Sequence, residues 1–578
     1  MNDVVDASGA PEVAEESKSH PGPVRRALRF MFWRHLCFGG LIGALVFFTI
    51  SVSPSLLPRG ALFQGILSGI SITIGYAIGA GVSAIARKFD PPEPSAEVKR
   101  WCWWGLLGVG VIAVLISLWY GNLWNEQTRT LMGMTDLEPW DWGLTLIVMM
   151  VVAGFIMVIS RGIRGLTRLA IGLVDRWVPR RWSVAIGVTL VVLLTIGIID
   201  GVVLRTAHEA MNSTYSVLDR DTTPGITQPV SPLRSGSEES LVEWSDMGTK
   251  GRDFTGDGEG EEKQAGPDAV QISEFNGDPA LDPIRVFVGL RNADSLDERV
   301  ELALAELDRT NAWDREILAV YGTTGTGWID ERVADSLEYI WGGDTAAVGL
   351  QYSYLPSWVS FLVDRQKASD SGAALIDAVV DRIAAMPEDD RPKLFLFGES
   401  LGSLATEAAF GSLDQMVEET DGAMLVGPTF ANDLREQFTN DRDEGSPAWR
   451  PVYENGQRVR FAVEPADLDQ PEGPWDDPHI VYLQNSSDPI SFFSFDLLWS
   501  SPEWLDNPRA PDANPKMSWF PIVTFWQVTA DLTYSFGAPA GHGHRYGANV
   551  VDGWVAIGAP DGWTDDDTQR LRDVVGHE

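Results

Sequence analysis

Five apolar stretches, residues 36–53, 62–86, 101–120, 143–160 and 183–204, fill the first part of this 578-residue chain. The shortest run to about 18 residues, close to the minimum for a helix that crosses some 30 Å of hydrocarbon. This segregation dictates two regions before any motif is considered. The expected arrangement is a cytoplasmic, disordered tail over 1–34 and an α-helical transmembrane bundle of about five spans over 35–204. The first stretch is not a cleavable signal peptide, because it starts behind an acidic tail and further spans follow it.

The loops alternate in charge. Arg25, Arg26, Arg29 and Arg34 precede the first stretch; Arg87, Lys88, Lys99 and Arg100 separate the second from the third; Arg161, Arg164, Arg168, Arg176, Arg180 and Arg181 lie between the fourth and fifth. The intervening loops hold one arginine each, Arg59 and Arg129. Basic loops stay in the cytoplasm, so an odd number of crossings puts the remainder of the chain outside the cell membrane. Asp200 is the one ionisable residue noted within the stretches, whereas ion and proton pathways usually need several. The bundle therefore reads as an anchor in the bilayer.

The chain has 44 Lys and Arg against 81 Asp and Glu. The first 204 residues carry 17 of the former and 14 of the latter, so the acidic excess lies downstream. A surface that acidic repels phosphate backbones, and no basic stripe offsets it, so nucleic acid is not an expected partner. Cys37 and Cys102, the only cysteines, both lie in the membrane half. The downstream half thus has no disulfide and no cysteine ligand, and neither metal nor cofactor is expected.

Residues 205–278 are rich in Ser, Thr, Gly, Pro, Asp and Glu and read as an acidic, extended linker outside the membrane. Over 279–578, short β-branched or aromatic runs alternate with helical patterns, which predicts a mostly parallel sheet with helices on both faces. Strands are expected near 284–290, 317–321, 346–351, 393–397, 423–426 and 480–484, with a helix near 372–386.

Directly after Leu394-Phe395-Leu396-Phe397 comes Gly398-Glu399-Ser400-Leu401-Gly402, then a helical stretch. This is G-x-S-x-G in strand-turn-helix context, where small flanking residues let a serine hydroxyl project from a strained turn. A serine needs a base oriented by a carboxylate, in the order Ser, Asp or Glu, His. Downstream, Gly541-His542-Gly543-His544-Arg545-Tyr546 is a late flexible turn; His544 is the preferred base because Tyr546 can brace it, with His542 as the alternative. Asp488, in Asn485-Ser486-Ser487-Asp488-Pro489 after a strand, is the candidate acid; its ordinary reading is an Asx turn before proline. Oxyanion donors are expected from Leu401 and from the Thr324-Gly325-Thr326 loop after an early strand. That loop lacks the Lys-Ser/Thr of a phosphate-binding P-loop. Phe492, Phe493, Phe495, Trp499, Trp504, Trp519, Phe520, Phe525 and Trp526 crowd the interval between acid and base, as an acyl pocket, a membrane contact or core.

Together, Thr324 to Trp328, Gln351 to Trp358, Gly398 to Ser403, Ser487-Asp488-Pro489 and Gly541 to His544 resemble a family of bacterial, chiefly actinobacterial, membrane-anchored α/β-hydrolases with a multi-span N-terminal domain. The resemblance implies an α/β-hydrolase fold and a hydrolase activity without a settled substrate. The expected function is a serine esterase or lipase-like enzyme that acts on an acyl ester, of an envelope lipid or lipid-linked acyl group, at the outer membrane face. The alternatives are an envelope acyltransferase that uses the same residues and a catalytically idle membrane scaffold.

Overall fold

The computed structural model describes residues 36–89, 94–134, 141–198, 201, 204–258 and 266–576. The expected cytoplasmic tail, Asp200 and the acidic run 259–265 lie outside the described residues.

Five helices occupy the five apolar stretches: α1 (Phe38–Ser51), α2 (Ala61–Ala86), α3 (Ala96–Leu131), α4 (Trp142–Val174) and α5 (Arg180–Ile198). Four are long and apolar enough to cross a membrane; α1, with 14 residues, is not. At 1.5 Å per residue it spans about 21 Å. The apolar run overestimated it because the helix stops before Ser53-Pro54, where Ser53 Oγ turns back to the Ile50 carbonyl at 2.7 Å. Beyond it, Ser55 to Leu57 turn to the downstream domain.

Glycine explains how α1 and α2 pack. A Cβ on Gly43 would lie 2.2 Å from the Gly75 carbonyl oxygen, and one on Gly79 would lie 2.1 Å from that of Gly39. Small residues four apart on both helices allow this backbone contact, where lipid supplies no hydrophobic drive. Because α2 and α4 begin, and α3 ends, on one side of the bundle, the basic clusters Arg87-Lys88, Lys99-Arg100 and Arg176 to Arg181 gather at the other.

Downstream, seven strands form one parallel sheet: β1 (Ile284–Val288), β2 (Ile317–Gly322), β3 (Thr345–Leu350), β4 (Lys393–Glu399), β5 (Gly422–Val426), β6 (Val459–Ala462) and β7 (His479–Leu483), in the order β1-β3-β2-β4-β5-β7-β6. All six expected strands are present. β6 escaped notice because it is a four-residue edge strand interrupted by Arg460. Strands β1 to β5 are buried along nearly their whole length, as suits a sheet covered on both faces.

The stretch expected to be an extended tether is folded. After α6 (Arg205–Leu218), the Asp219 carboxylate is held by Arg291 at 2.9 Å and by Gln351 at 3.2 Å. Ile226–Thr227 pairs with Asp257–Gly258, and the chain around Arg234 runs beside β1, with the Ser235 N–H on the Arg285 carbonyl at 2.9 Å. Val242, Met247, Phe254 and Ile272 join the main core. Composition misled because these apolar residues are few and inward-turned arginines do much of the tying: Arg252 donates to the Asp219 and Asp221 carbonyls, and Arg234 to those of Gly266 and Pro267.

The bundle also grips the downstream domain. Asn514 Nδ2 donates to the Trp124 carbonyl and to Thr128 Oγ1, both at 3.1 Å. Leu56, Leu57 and Met132 enter a core built with Trp449, Phe492, Phe493, Leu497 and Met517. Much of the aromatic density between acid and base is therefore interface core, whereas Phe495 and Trp499 remain exposed.

Candidate active site

The polar residues of interest sit at the carboxyl ends of the central parallel strands, where ligands bind in open α/β sheets. Strand β4 ends at Glu399, and Ser400 follows at φ 56°, ψ −121° as the cap of α7 (Leu401–Glu407). A positive φ is costly for a residue with a Cβ. Three glycines allow it: a Cβ on Gly398 would lie 2.3 Å from the Gly402 carbonyl oxygen, and one on Gly402 would lie 2.1 Å from that of Gly322. The turn thus packs backbone to backbone against the end of β2. The Ser400 N–H donates to the Val426 carbonyl of β5 at 2.8 Å.

One residue past Val426, Gly427 meets the imidazole of His544. A Cβ there would lie 2.4 Å from His544 Cε1 and 2.9 Å from Nδ1. The histidine is thereby seated over the same strand end that holds the serine. Its Nδ1 bonds Asp488 Oδ2 at 2.6 Å, and Tyr546 OH donates to that oxygen at 2.7 Å. The other carboxylate oxygen, Oδ1, accepts from the Ile490 N–H at 2.9 Å. Asp488 does cap a short helix, as its ordinary reading supposed, yet it also holds the histidine. Because an ionised carboxylate only accepts, Nδ1 carries the proton and Nε2 is left with its lone pair. Nε2 is buried and has no hydrogen-bond partner among the described residues.

The two neighbouring segments are stitched residue by residue. Asn485 Nδ2 donates to the Gly543 and Arg545 carbonyls at 3.0 Å, and the Gly543 N–H donates to Ser487 Oγ at 3.0 Å. His542 faces the other way and bonds Asp512 at 2.9 Å, while Ser486 Oγ donates to Asp512 at 2.6 Å. Burial pushes the Asp512 carboxyl up, but hydrogen bonds from His542, Ser486 and Ser487 outweigh it and hold the group below its ordinary value. Two Asp-His pairs therefore stand side by side, and His544 is the one beside the Ser400 turn. Asp512 gave no sequence signal, since it lies in an irregular loop far from either motif.

The expected oxyanion loop is a tight turn. The Gly327 N–H donates to the Thr324 carbonyl at 2.6 Å, which leaves Gly325 and Thr326 at its apex. The main-chain donor expected from Thr324 is engaged, because its N–H donates to the Trp328 carbonyl at 3.1 Å. Sequence could not reveal this local pairing of Thr324 with Trp328. The Thr324 hydroxyl is buried and without a partner among the described residues. Leu401, first in α7, has an N–H with no acceptor inside the helix.

Glu399 is a further buried acid beside the serine. Burial, aided by Asp330 and Asp488 and opposed by Arg332, raises its carboxyl well above the ordinary value. The shift disfavours a second negative charge next to Asp488. The start of the Gln351 to Trp358 stretch is structural: Gln351 binds Asp219, Ser353 Oγ donates to Asp364 at 2.7 Å, and Tyr352 packs on Ala405 behind the serine turn.

A parallel sheet with a strained serine between its central strand and a helix, beside a buried Asp-His pair, defines the class of α/β-hydrolase folds. The chain belongs to an alpha/beta-hydrolase family: the model of that family matches residues 284–571, and the model described as the family's N-terminus matches residues 52–258. Comparisons with curated proteins and with solved structures give no match.

Proposed function

We propose that this protein is a membrane-anchored serine hydrolase that cleaves acyl esters at the outer face of the cell membrane. The observation that carries the reading is the Asp488-His544 hydrogen bond with His544 Nε2 unpaired among the described residues, the ring seated on Gly427, one residue past the Val426 carbonyl that accepts the Ser400 N–H. In this mechanism Nε2 takes the Ser400 proton as Oγ bonds to the ester carbonyl carbon. Asp488 and Tyr546 hold the imidazole, and the Leu401 N–H with the Gly325-Thr326 turn receives the oxyanion. Collapse of the tetrahedral species breaks the bond to the alcohol, which leaves with the proton from His544. Water, deprotonated by His544, then releases the acid and restores Ser400. Gathering of the basic clusters at the far end of the bundle supports an outward-facing catalytic domain.

Fluorophosphonate labelling of the detergent-solubilised protein, with turnover of short and long acyl p-nitrophenyl esters, tests the reading. Wild type should label and Ser400→Ala should not. His544→Ala should lose turnover on the order of 10⁴-fold, whereas His542→Ala should retain it within about tenfold, as befits a supporting group. No labelling and no turnover in folded wild type would point instead to an idle scaffold. Ester product formed only on addition of an envelope hydroxyl acceptor would point to an acyltransferase.

A further inference from the structure

The loop between α1 and α2 reaches the histidine turn. Asp531, at the end of α8 (Val523–Leu532), is fully buried against it. One of its carboxylate oxygens accepts from the Ser55 hydroxyl, from the Leu56 N–H at 3.1 Å and from the Leu57 N–H at 3.4 Å. Gln527, one turn earlier, donates to the Ser53 carbonyl and hydroxyl at 3.0 Å. Arg59 is the charged group that faces this carboxylate from the same loop.

From Asp531 the contacts run on to the imidazole. The Tyr534 N–H donates to the Asp531 carbonyl at 3.0 Å, and the His544 N–H donates to the Ser535 carbonyl at 2.9 Å. Phe536 stands edge-on to the His544 ring, centroids 5.1 Å apart, and is itself 57% exposed, so it shields a histidine that is only 1% exposed. Leu57 closes the path from the other side: its Cδ2 would lie 3.4 Å from a Cβ on Gly543, whose φ is +55°.

We infer that the Ser55–Leu57 loop of the membrane bundle is a working part of the active site, and that Asp531 is a positioning residue through which it holds Ser535, Phe536 and hence His544. An anchor needs only a flexible connection. A buried carboxylate, one oxygen of which accepts from three donors of a loop between membrane helices, four residues before the carbonyl bonded to the base's main chain, is instead a rigid coupling. The inference rests on the serine-hydrolase reading. It goes beyond that reading by making the bundle a determinant of the rate rather than of location alone.

The test compares full-length wild type, Asp531→Ala, Asp531→Asn and Leu57→Ala in detergent, following the second-order rate of fluorophosphonate labelling against pH and amide deuterium uptake over residues 541–546. Displacing a catalytic group by about an ångström costs up to about 10²-fold. Asp531→Ala and Leu57→Ala should therefore slow labelling about tenfold or more and shift the pH midpoint. Asp531→Asn, which keeps the acceptor oxygen, should restore most of the rate. Uptake over 541–546 should quicken in the two alanine variants. Wild-type rates, midpoints and uptake in both alanine variants would overturn the inference, as would a smaller labelled fraction with unchanged rate and midpoint. If wild type itself takes no probe, the nucleophile assignment fails; exchange then decides the coupling, and unchanged uptake at 541–546 would end it too.

Discussion

At the scale of single residues, the site depends on atoms that are missing. Gly427 has no Cβ, and the His544 ring occupies the space where one would be. Gly427→Ala should push the imidazole off the strand end and strain a residue at φ 54°. The strain alone costs on the order of 1–2 kcal/mol, which a folded domain tolerates, while the displaced base should cost about 10²-fold in turnover. A variant that keeps wild-type turnover would show that His544 is not seated as described. Tyr546→Phe should act more mildly: it removes one donor to a buried carboxylate, a hydrogen bond to a charged group worth about 1.5–3 kcal/mol, and should lower turnover by roughly tenfold to a hundredfold. The G-x-S-x-G spacing and the order Ser, Asp, His singled out Ser400, Asp488 and His544 as candidates in the sequence, and the Asp488-His544 hydrogen bond agrees with that choice. Gly427 and Asp512 were not, because each matters through one contact with a residue remote along the chain. The Thr324 N–H was misread because sequence cannot show which of several adjacent amides a tight turn consumes.

At the scale of elements, strands buried on both faces announced themselves as apolar runs, and six of the seven were legible for that reason. The segment beside β1 was not, because its anchors are arginines. Arg285, fully buried in β1, donates to Glu338 at 2.7 Å and to Asp335 at 2.6 Å, and also to the Phe254 carbonyl at 3.0 Å. Burial lowers the pKa of this guanidinium, but Glu338 and Asp335 more than reverse the effect, so it stays charged throughout the accessible pH range. Arg285→Met should cost about 3–5 kcal/mol, since it strands Glu338 without its counter-charge. Glu338→Gln combined with Arg285→Met should recover much of that loss. Chemical or thermal unfolding in detergent would read both, and equal losses in the single and double variants would refute a charge-pairing role.

At the scale of the whole molecule, the sequence divided the chain at the membrane surface, but the structure joins the halves through Asp531. Burial raises this carboxyl to about 6 despite Arg59 and the three hydrogen bonds it accepts. A group whose folded pKa lies above its ordinary 3.8 contributes stability that is complete below that value and declines as pH rises towards 6. With two units at about 1.4 kcal/mol each, the joined state should lose roughly 3 kcal/mol between about pH 4 and pH 6 and little more above that. Asp531→Asn cannot ionise, so subtracting its profile from that of wild type isolates this group from the many other carboxylates. The melting temperature of wild type minus that of Asp531→Asn should fall across this window and level off near neutrality; a flat difference would mean that Asp531 is not desolvated by the bundle. The same junction predicts the fate of residues 205–578 expressed alone. Leu56, Leu57 and Met132 would leave their aromatic neighbours Phe492, Phe493 and Trp449 open to water, and Asp531 would lose every donor the loop gives it. That fragment should therefore aggregate, or label at Ser400 far more slowly than the full chain in size-exclusion and fluorophosphonate assays. A monodisperse fragment that labels at the full-length rate would restore the bundle to a mere anchor.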